Sequence, residues 1–336
     1  QAEATLTLLT AEPDDPRGLG RILRTNGRIA AIREEHDASE AERAIREVNA
    51  GVYCFDARWL WQSLPNVEPA PNGELYLTAL VERAAAEGRK IEVVLAADWE
   101  ESIGVNDREQ LARAEAVYRR RMLRTLMVDC GVTIIDPATT YIDAGVEIAP
   151  DTTIEPNTHI RGHTRIGSGC TIGPNAMLRD ARIGEGCRVF ASCLEDCELE
   201  DGVDVGPYSH VRPGAHLEAG VHVGNYVEVK ASRIGRDSKI GHFSYIGDAL
   251  LGANVNIGAG TVTCNFDGER KHATHIGDDA FIGSDTMLVA PVRIGRGART
   301  GAGSVVTHDV AEGETVAGVP ARGLRQKRAE GAVDGR

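Results

Sequence analysis

Two basic residues, Arg212 and Lys230, stand eighteen positions apart in a chain whose aliphatic residues recur at about every sixth position. Each follows an aliphatic residue, Val211 or Val229, and the period is unbroken between them. If three six-residue segments make one coil, the two cations lie about 4.8 Å apart on one face. Two such cations repel by about 1 kcal/mol or more. The pair predicts either an anion, best a phosphate, held between them or two side chains that point apart into water.

A histidine in the same region, His242, is the candidate general base, because neutral imidazole accepts a proton near pH 7. It stands third in the six-residue segment 240–245, on the coil that carries Lys230. Glu228 is expected to lie near enough to orient the ring, and Asn256 follows one coil later. A histidine with a purely structural role is the alternative that the sequence leaves open.

The aliphatic period runs from residue 142 to about residue 310. One stretch of it reads Ile142, Ile148, Ile154, Ile160, Ile166, Ile172 and Leu178. Because six is an even number, these side chains all face the same way in an extended chain, whereas a helix would spread them around its surface. The pattern predicts a parallel β-helix. Between Thr263 and His275 about one segment too many is present, which predicts a loop, carrying Lys271, that binds a ligand or completes a site.

Four segments are expected along the chain. Residues 1–107 show a mixed α/β pattern, 108–127 a linker helix, 128–324 the β-helix and 325–336 a Gly- and charge-rich tail that we expect to be mobile. Within the first segment we predict strands at 4–9, 28–32 and 48–55, and helices at 39–47, capped by Ser39, and at 78–86. This segment has no initiator Met and no glycine-rich strand-to-helix turn. It is therefore interpreted as the second part of a larger α/β domain.

Composition excludes some classes of function. The net charge of -13, from 50 acidic and 37 basic residues, argues against a general nucleic-acid or anionic-membrane binder but leaves room for a local basic pocket. No apolar run is long enough to span a bilayer, and no secretory signal is evident, so a cytoplasmic location is expected. Seven cysteines without a C-x-x-C pair indicate reduced thiols. A disulfide or zinc site that uses Cys193 and Cys197 is the alternative.

Four motifs of the periodic region resemble one family closely. They read PYSHVRPG at 207–214, VGNYVEVK at 223–230, IGHFSYIGD at 240–248 and NVNIGAGT at 254–261. The family is the bacterial bifunctional N-acetylglucosamine-1-phosphate uridylyltransferase / glucosamine-1-phosphate N-acetyltransferase, and the resemblance covers essentially the whole chain. It implies a left-handed parallel β-helix that forms a homotrimer with active sites between subunits. The left hand is implied by the resemblance alone, because the general crossover rule favours the right hand.

The resemblance also implies roles for individual residues. His242 would be the general base for attack of the amine of glucosamine 1-phosphate on acetyl-CoA, giving N-acetylglucosamine 1-phosphate. The implied sugar-phosphate ligands are Arg212, Lys230, Tyr245, Asn256 and Lys271. The implied acetyl-CoA contacts are Ala259, Asn265, Phe266, Ser284 and Ala302, with Phe266 standing where the family has Tyr.

The first segment resembles the later part of the family's uridylyltransferase domain. Gly20, Glu34, Asn49 and Asn106 match UDP-sugar ligands, and Asn106 would also help to hold Mg²⁺. The family's glycine-rich triphosphate loop and its partner aspartate are not found in the printed sequence. Without that loop there is no cradle for the phosphates of UTP. We therefore expect acetyl transfer to be kept and uridylyl transfer from UTP, which gives UDP-N-acetylglucosamine, to be lost.

Three other functions remain open from the sequence. The nearest is a hexapeptide acyltransferase for another sugar. A zinc-dependent β-helix hydrolyase needs three converging histidines, for which His210, His216, His222 and His242 are available. A non-catalytic regulatory subunit, related to sugar nucleotidyltransferases, is the third; the set His242, Lys230 and Lys271 argues against it.

Overall fold

The computed structural model describes residues 4–70 and 73–324 of the chain. The tail predicted at 325–336 lies outside the described residues. The chain forms two compact units, Gln1–Tyr118 and Arg119–Arg336. Within the described ranges, no helix is long and apolar enough to cross a membrane.

The first unit contains a five-stranded sheet with helices. Its strands are β1 Leu6–Ala11, β2 Arg21–Thr25, β3 Arg28–Arg33, β4 Val48–Phe55 and β5 Ile91–Leu95. Its helices are α1 Glu40–Arg43, α2 Ala57–Ser63, α3 Ala79–Ala86 and the first part of α4 Arg108–Val128, with 3₁₀ turns at Leu64–Asn66 and Trp99–Ser102. The strand order is β3-β2-β4-β1-β5, and β1 pairs antiparallel with β4 but parallel with β5. Alternation along β1 buries Leu6 and Leu8 completely, as a strand with one buried face requires.

Local sequence signals placed most of these elements correctly. The strand predicted at 48–55 is confirmed, and the helix predicted at 78–86 begins one residue later. Ser39 caps α1 as predicted: its hydroxyl accepts from the backbone of Glu42, whose carboxylate accepts from the backbone of Ser39. The predicted end of α1 at residue 47 is wrong. The helix ends at Arg43 because the chain must turn before β4 begins at Val48.

The second unit is a parallel β-helix with three sheets. Sheet 1 has ten strands: Tyr141–Ile142, His159–Arg161, Met177–Arg179, Cys193–Glu195, His210–Val211, Glu228–Lys230, Tyr245–Gly247, Val262–Cys264, Met287–Val289 and Val305–Val306. Sheet 2 has nine strands: Glu147–Ile148, Arg165–Ile166, Arg182–Ile183, Glu198–Leu199, His216–Leu217, Arg233–Ile234, Ala249–Leu251, Thr274–Ile276 and Val292–Ile294. Sheet 3 has twelve: Thr133–Ile134, Thr153–Ile154, Thr171–Ile172, Arg188–Val189, Asp204–Val205, His222–Asn225, Lys239–His242, Asn256–Ile257, Phe281–Ile282, Arg299–Thr300, Thr315–Ala317 and Arg322–Gly323.

The interior of the β-helix is a set of stacked aliphatic side chains. In sheet 3, Val205, Val223 and Ile240 follow one another in register and are 0% exposed. Leu123 and Leu126, near the end of α4, belong to the same core. This ladder fixes which residues of each coil face outward, because outward and inward positions alternate along a strand.

The length of a coil is not constant. Val211 pairs with Val229, eighteen residues on, as predicted. Met177 pairs with Cys193, however, only sixteen residues later. Two corners of that coil are one residue shorter than elsewhere, and Asp180 and Ala191 turn there with φ of 51° and 44°. Such left-handed backbone lets the chain turn within fewer residues, so the inward ladder stays aligned while the sequence spacing changes.

One coil is much longer than the others. Val262 pairs with Met287, twenty-five residues later, and the excess lies between Cys264 and Thr274. The coils on both sides remain paired, because Leu250 still meets His275 in sheet 2. The predicted insertion is therefore a loop that leaves the β-helix between sheets 1 and 2 and returns to it in register.

Candidate functional site

The predicted stacking of two cations is observed on the outer face of sheet 1. Val211 pairs with Val229, so the residues that follow them, Arg212 and Lys230, occupy equivalent positions on adjacent coils. Glu228 extends from the same face, and its Oε1 lies 2.5 Å from Nη1 of Arg212. This hydrogen bond raises the pKa of Arg212. Since each side chain of the ion pair is 38% exposed, its main effect is to fix the direction of the guanidinium rather than to stabilise the fold.

A third cation reaches this place from the inserted loop. The ammonium group of Lys271 lies beside that of Lys230, and this second cation lowers the pKa of Lys230. Asp248 and Tyr245 also face Lys271 closely enough to act on it electrostatically. Tyr245 itself follows Glu228 in register along sheet 1. The structure thus brings four of the five predicted sugar-phosphate ligands together: Arg212, Lys230, Tyr245 and Lys271.

Hydrogen bonds within the inserted loop hold Lys271 in place. Oδ1 of Asp267 accepts 2.8 Å hydrogen bonds from the backbone N–H groups of Glu269 and Arg270. Its Oδ2 lies 2.6 Å from Nε2 of His272. Together these contacts hold the pKa of Asp267 well below its usual range. Phe266 forms an isolated antiparallel bridge with Lys271, so the loop closes as a small hairpin.

His242 ends its strand in sheet 3, at the corner where the chain passes into sheet 1. Its Nδ1 forms a short hydrogen bond with Oδ1 of Asn225, the residue paired with it on the preceding coil. The prediction that Glu228 orients the imidazole is therefore wrong. Glu228 belongs to sheet 1 and pairs with Arg212, whereas the corner residue of the adjacent coil is within reach of the ring.

The contact with Asn225 selects one form of the imidazole. A carbonyl oxygen only accepts hydrogen bonds, so Nδ1 of His242 carries the proton. The lone pair then lies on Nε2, which is the form that a general base requires. His242 is exposed at the corner.

A column of corner residues continues upward from His242. Backbone hydrogen bonds join successive coils here: Gly260 N–H to the carbonyl of His242 at 3.1 Å, Asp285 to Ala259 at 2.6 Å, and Gly303 to Ser284 at 2.8 Å. The register therefore aligns His242 with three predicted acetyl-CoA contacts, Ala259, Ser284 and Ala302. Ser284 and Ala302 are exposed and Ala259 is half-buried, and all three side chains are small.

The remaining predicted ligands of this unit lie elsewhere in the chain. Asn256 faces outward from sheet 3, in register between Lys239 and Phe281, and does not join the cations of sheet 1. Asn265 is 7% exposed, and its amide donates a 2.5 Å hydrogen bond to Asp248, which places it with the cationic cluster rather than with the corner column. Phe266 is 60% exposed at the base of the loop.

Two residues at this site were missed from the sequence. Asn225 precedes His242 by seventeen residues, so a strict eighteen-residue repeat pointed to Gly224 instead. Asp248 lies at a shortened corner and contacts Asn265. Counting seventeen residues wherever a corner is short would have identified Asn225 as the neighbour of the imidazole.

The first unit brings three of its four predicted ligands together. The backbone N–H of Asn49 donates to the carbonyl of Gly20 at 2.8 Å. A methyl group built on Gly20 would lie 3.3 Å from the carboxylate of Glu34, so the absence of a side chain leaves space beside that group. Tyr53 adjoins Asn49 and Glu34, and burial raises its pKa to about 12.

The fourth residue, Asn106, is exposed just before α4, and its backbone N–H donates to Gln110 at 2.6 Å. In the part of the chain that the structure describes, the only group of three His, Cys, Asp or Glu side chains close enough to share a metal ion is Cys193, Glu195 and His210. One amide oxygen is not sufficient for Mg²⁺, which binds chiefly through carboxylates and phosphates. The described residues near Asn106 therefore do not fit a complete magnesium site.

The four histidines considered for a zinc hydrolyase are spread over the three sheets, with only His222 and His242 on the same one. His210 is on sheet 1, His216 on sheet 2 and His222 on sheet 3. Each forms its own hydrogen bond with a carboxylate: with Glu195 at 3.0 Å, Glu200 at 2.8 Å and Asp204 at 2.8 Å, respectively. Because the three sheets face in different directions, the side chains of His210, His216 and His222 cannot meet at one metal ion within a chain.

Cys193 and Cys197 do not act as a pair. Cys193 faces outward from sheet 1, whereas Cys197 is 6% exposed at the next corner, where burial raises its pKa to about 12. Both are free thiols. The alternative in which these two cysteines form a disulfide or share a metal ion is therefore wrong.

Comparison with known proteins gives an independent assignment. The model of the family "Bacterial transferase hexapeptide (six repeats)" matches residues 145–180 and 273–308. The chain is 49% identical over 311 residues to the bifunctional protein GlmU of Geobacillus sp. (strain WCH70), and this match covers 92% of the chain and 68% of the relative. The bifunctional protein GlmU of Pelobacter propionicus is 48% identical over 314 residues, with 92% and 68% covered.

Among solved structures, a UDP-N-acetylglucosamine acyltransferase of Francisella novicida matches with a TM-score of 0.39 and 19% identity, covering 57% of this chain and 68% of that one. That likeness is too distant to support an argument. The match covers 92% of the chain and therefore reaches into both compact units. On these grounds the chain belongs to the family of the bifunctional protein GlmU.

Proposed function

We propose that the chain transfers the acetyl group of acetyl-CoA to the amine of glucosamine 1-phosphate and so forms N-acetylglucosamine 1-phosphate. The observation that carries this proposal is the arrangement around His242. An exposed base stands in one column with Ala259, Ser284 and Ala302, and the cations of sheet 1 begin on the next face of the same coils.

The chemistry follows from that arrangement. Nε2 of His242 removes a proton from the amine as its nitrogen attacks the thioester carbonyl carbon of acetyl-CoA. A carbon–nitrogen bond forms and the carbon–sulfur bond breaks. The thiolate of CoA leaves and takes up a proton, so free CoA is the second product. Asn225 acts as a positioning residue, because its oxygen keeps the other ring nitrogen protonated.

Phosphate recognition would fall to Arg212, Lys230 and Lys271. A guanidinium offers two parallel N–H donors, and each ammonium adds a point charge. Like charges repel at short range, and Lys271 accordingly lowers the pKa of Lys230. A phosphate dianion would relieve that repulsion, so the cluster favours a phosphorylated amino sugar over a neutral one.

We also propose that the active protein is a homotrimer. Tyr208, Tyr226 and Phe243 form an aromatic stack on the corner beside His242, with ring centroids 5.5 and 5.3 Å apart. Each ring is more than half exposed. A neighbouring subunit packed on this stack would cover it. It would also let Asn256, which lies on sheet 3, contribute to a site formed between subunits.

The main test is a thiol-release assay with acetyl-CoA and a panel of amino sugars, each with and without the 1-phosphate. We expect glucosamine 1-phosphate to be preferred, and His242→Ala to lower its rate by about a hundredfold or more. His222→Ala is the matched control, because His222 is paired with Asp204 on sheet 3 away from the corner. Equal rates with and without the phosphate would instead indicate an acyltransferase for a different sugar.

Removing one cation tests the phosphate site. Arg212→Ala and Lys230→Ala are each expected to raise KM for glucosamine 1-phosphate by roughly tenfold or more, because a hydrogen bond between charged groups is worth about 1.5–3 kcal/mol. The KM for acetyl-CoA should change little. Arg233→Ala is the control, since Arg233 pairs with Glu218 on sheet 2 much as Arg212 pairs with Glu228. An unchanged KM for the sugar phosphate would contradict the assignment.

Replacing Asn225 by Asp tests how the imidazole is held. A carboxylate beside Nδ1 favours the charged imidazolium, in which Nε2 no longer accepts a proton. The acidic limb of the pH–rate profile should therefore move to higher pH in Asn225→Asp, while KM for both substrates stays close to that of the parent. An unshifted profile with a uniformly lower rate would show that Asn225 only supports the fold.

We further propose that the printed chain does not perform uridylyl transfer. Gly20, Glu34 and Asn49 lie together, but the described residues complete no magnesium site at Asn106. With UTP, Mg²⁺ and N-acetylglucosamine 1-phosphate, we expect no UDP-N-acetylglucosamine from a preparation that acetylates glucosamine 1-phosphate. Robust formation of the UDP-sugar would refute the proposal. Loss of both reactions in folded protein would favour a regulatory subunit.

A further inference from the structure

We infer that Cys193, Glu195 and His210 form a binding site for a zinc-class divalent metal ion on sheet 1. The thiol, carboxylate and imidazole each offer one ligand atom, and these atoms all lie within 4.8 Å of one another. Nε2 of His210 is 3.0 Å from Oε2 of Glu195. No two of the three donors are of the same chemical type.

The β-helix brings these side chains together without help from a loop. Cys193 and His210 are register partners on adjacent strands, and Glu195 lies two residues beyond Cys193 on the same outward face. The intervening residues, Leu194 and Val211, point inward and are 0% exposed. Their burial fixes the backbone beneath the three donors, so the site is held by the core.

The spacing suits a tetrahedral ion. With metal–sulfur distances of about 2.3 Å and metal–nitrogen or metal–oxygen distances of about 2.0–2.1 Å, neighbouring ligand atoms stand roughly 3.4–3.6 Å apart. The donors of Cys193, Glu195 and His210 would move slightly closer together to reach these separations. All three residues are partly exposed, which leaves the fourth position for water.

The identity of the donors selects the class of ion. Thiolate and imidazole favour Zn²⁺ and its close substitutes such as Co²⁺, whereas Mg²⁺ and Ca²⁺ prefer oxygen ligands. Glu195 supplies a negative charge beside the thiol, and it also acts electrostatically on Arg212 of the next coil. Arg179 also lies beside Glu195, on the preceding coil, so the site holds the negative charge of Glu195 between two arginines. A metal ion would need the thiolate form of Cys193 as a second negative charge.

Cobalt is the probe for the test. The reduced, metal-free, tag-free chain is titrated with Co²⁺, and the near-ultraviolet band from sulfur-to-cobalt charge transfer is recorded. We expect one equivalent of Co²⁺ per chain to produce this band and Zn²⁺ to displace it. Cys193→Ser should abolish the band, and His210→Asn should weaken Co²⁺ binding at least tenfold. Cys54→Ser, which removes an exposed thiol of the first unit, is the matched control and should behave like the parent.

A second readout guards against misfolding of the variants. Zn²⁺ should raise the midpoint of thermal unfolding in the parent and in Cys54→Ser but not in Cys193→Ser, because a ligand that binds only the folded state stabilises it. Without metal, Cys193→Ser should unfold at the same temperature as the parent. The inference is overturned if the parent shows no charge-transfer band, or if Cys193→Ser keeps the band with the same affinity.

Discussion

The alignment of inward aliphatic side chains from coil to coil is the constraint on which the rest of this protein depends. Val205, Val223 and Ile240 follow one another in register and are 0% exposed, in a core that is closely packed. Moving one strand by a single residue would expose its aliphatic side chain and bury a polar one. The outward residues are therefore held at fixed levels, and Arg212 lies beside Lys230 for the same reason that Val211 lies beside Val229.

This rigid frame lets weak interactions define a site. The ion pair of Arg212 with Glu228 is half in solvent and contributes little to stability. Its effect is to fix the orientation of the planar guanidinium group of Arg212. The repulsion between Lys230 and Lys271 persists because one residue is fixed by the β-helix and the other by a hydrogen-bonded loop. A flexible scaffold would let these cations separate; here they remain together on a chain whose net charge is -13.

Sequence reasoning succeeded where one periodic rule governs the structure. The six-residue period was sufficient to predict the β-helix, the outward stacking of Arg212 on Lys230 and the inserted loop with Lys271. It failed where a corner loses a residue, as it does at Ala231: Asn225 and His242 are paired at a spacing of seventeen residues, so Asn225 was not expected beside the imidazole. In the first unit β2 and β5 were missed, although β5 is rich in the β-branched residues that favour strands. The sheet order β3-β2-β4-β1-β5 was also out of reach, because it depends on pairing between segments that are distant in sequence.

The shortened corners have a consequence for how such a protein can change. When a corner has one residue fewer, as beside Asp180 or Ala191, the number of residues in the coil changes. The pairing of its strands with those of the adjacent coils does not change. The twenty-five-residue coil shows the same tolerance in the opposite direction. Residues can therefore be inserted or deleted at the corners between sheets without changing which side chains lie next to each other on the faces of the β-helix. Sequences of this kind are therefore best aligned on their buried aliphatic residues, with gaps placed at the corners.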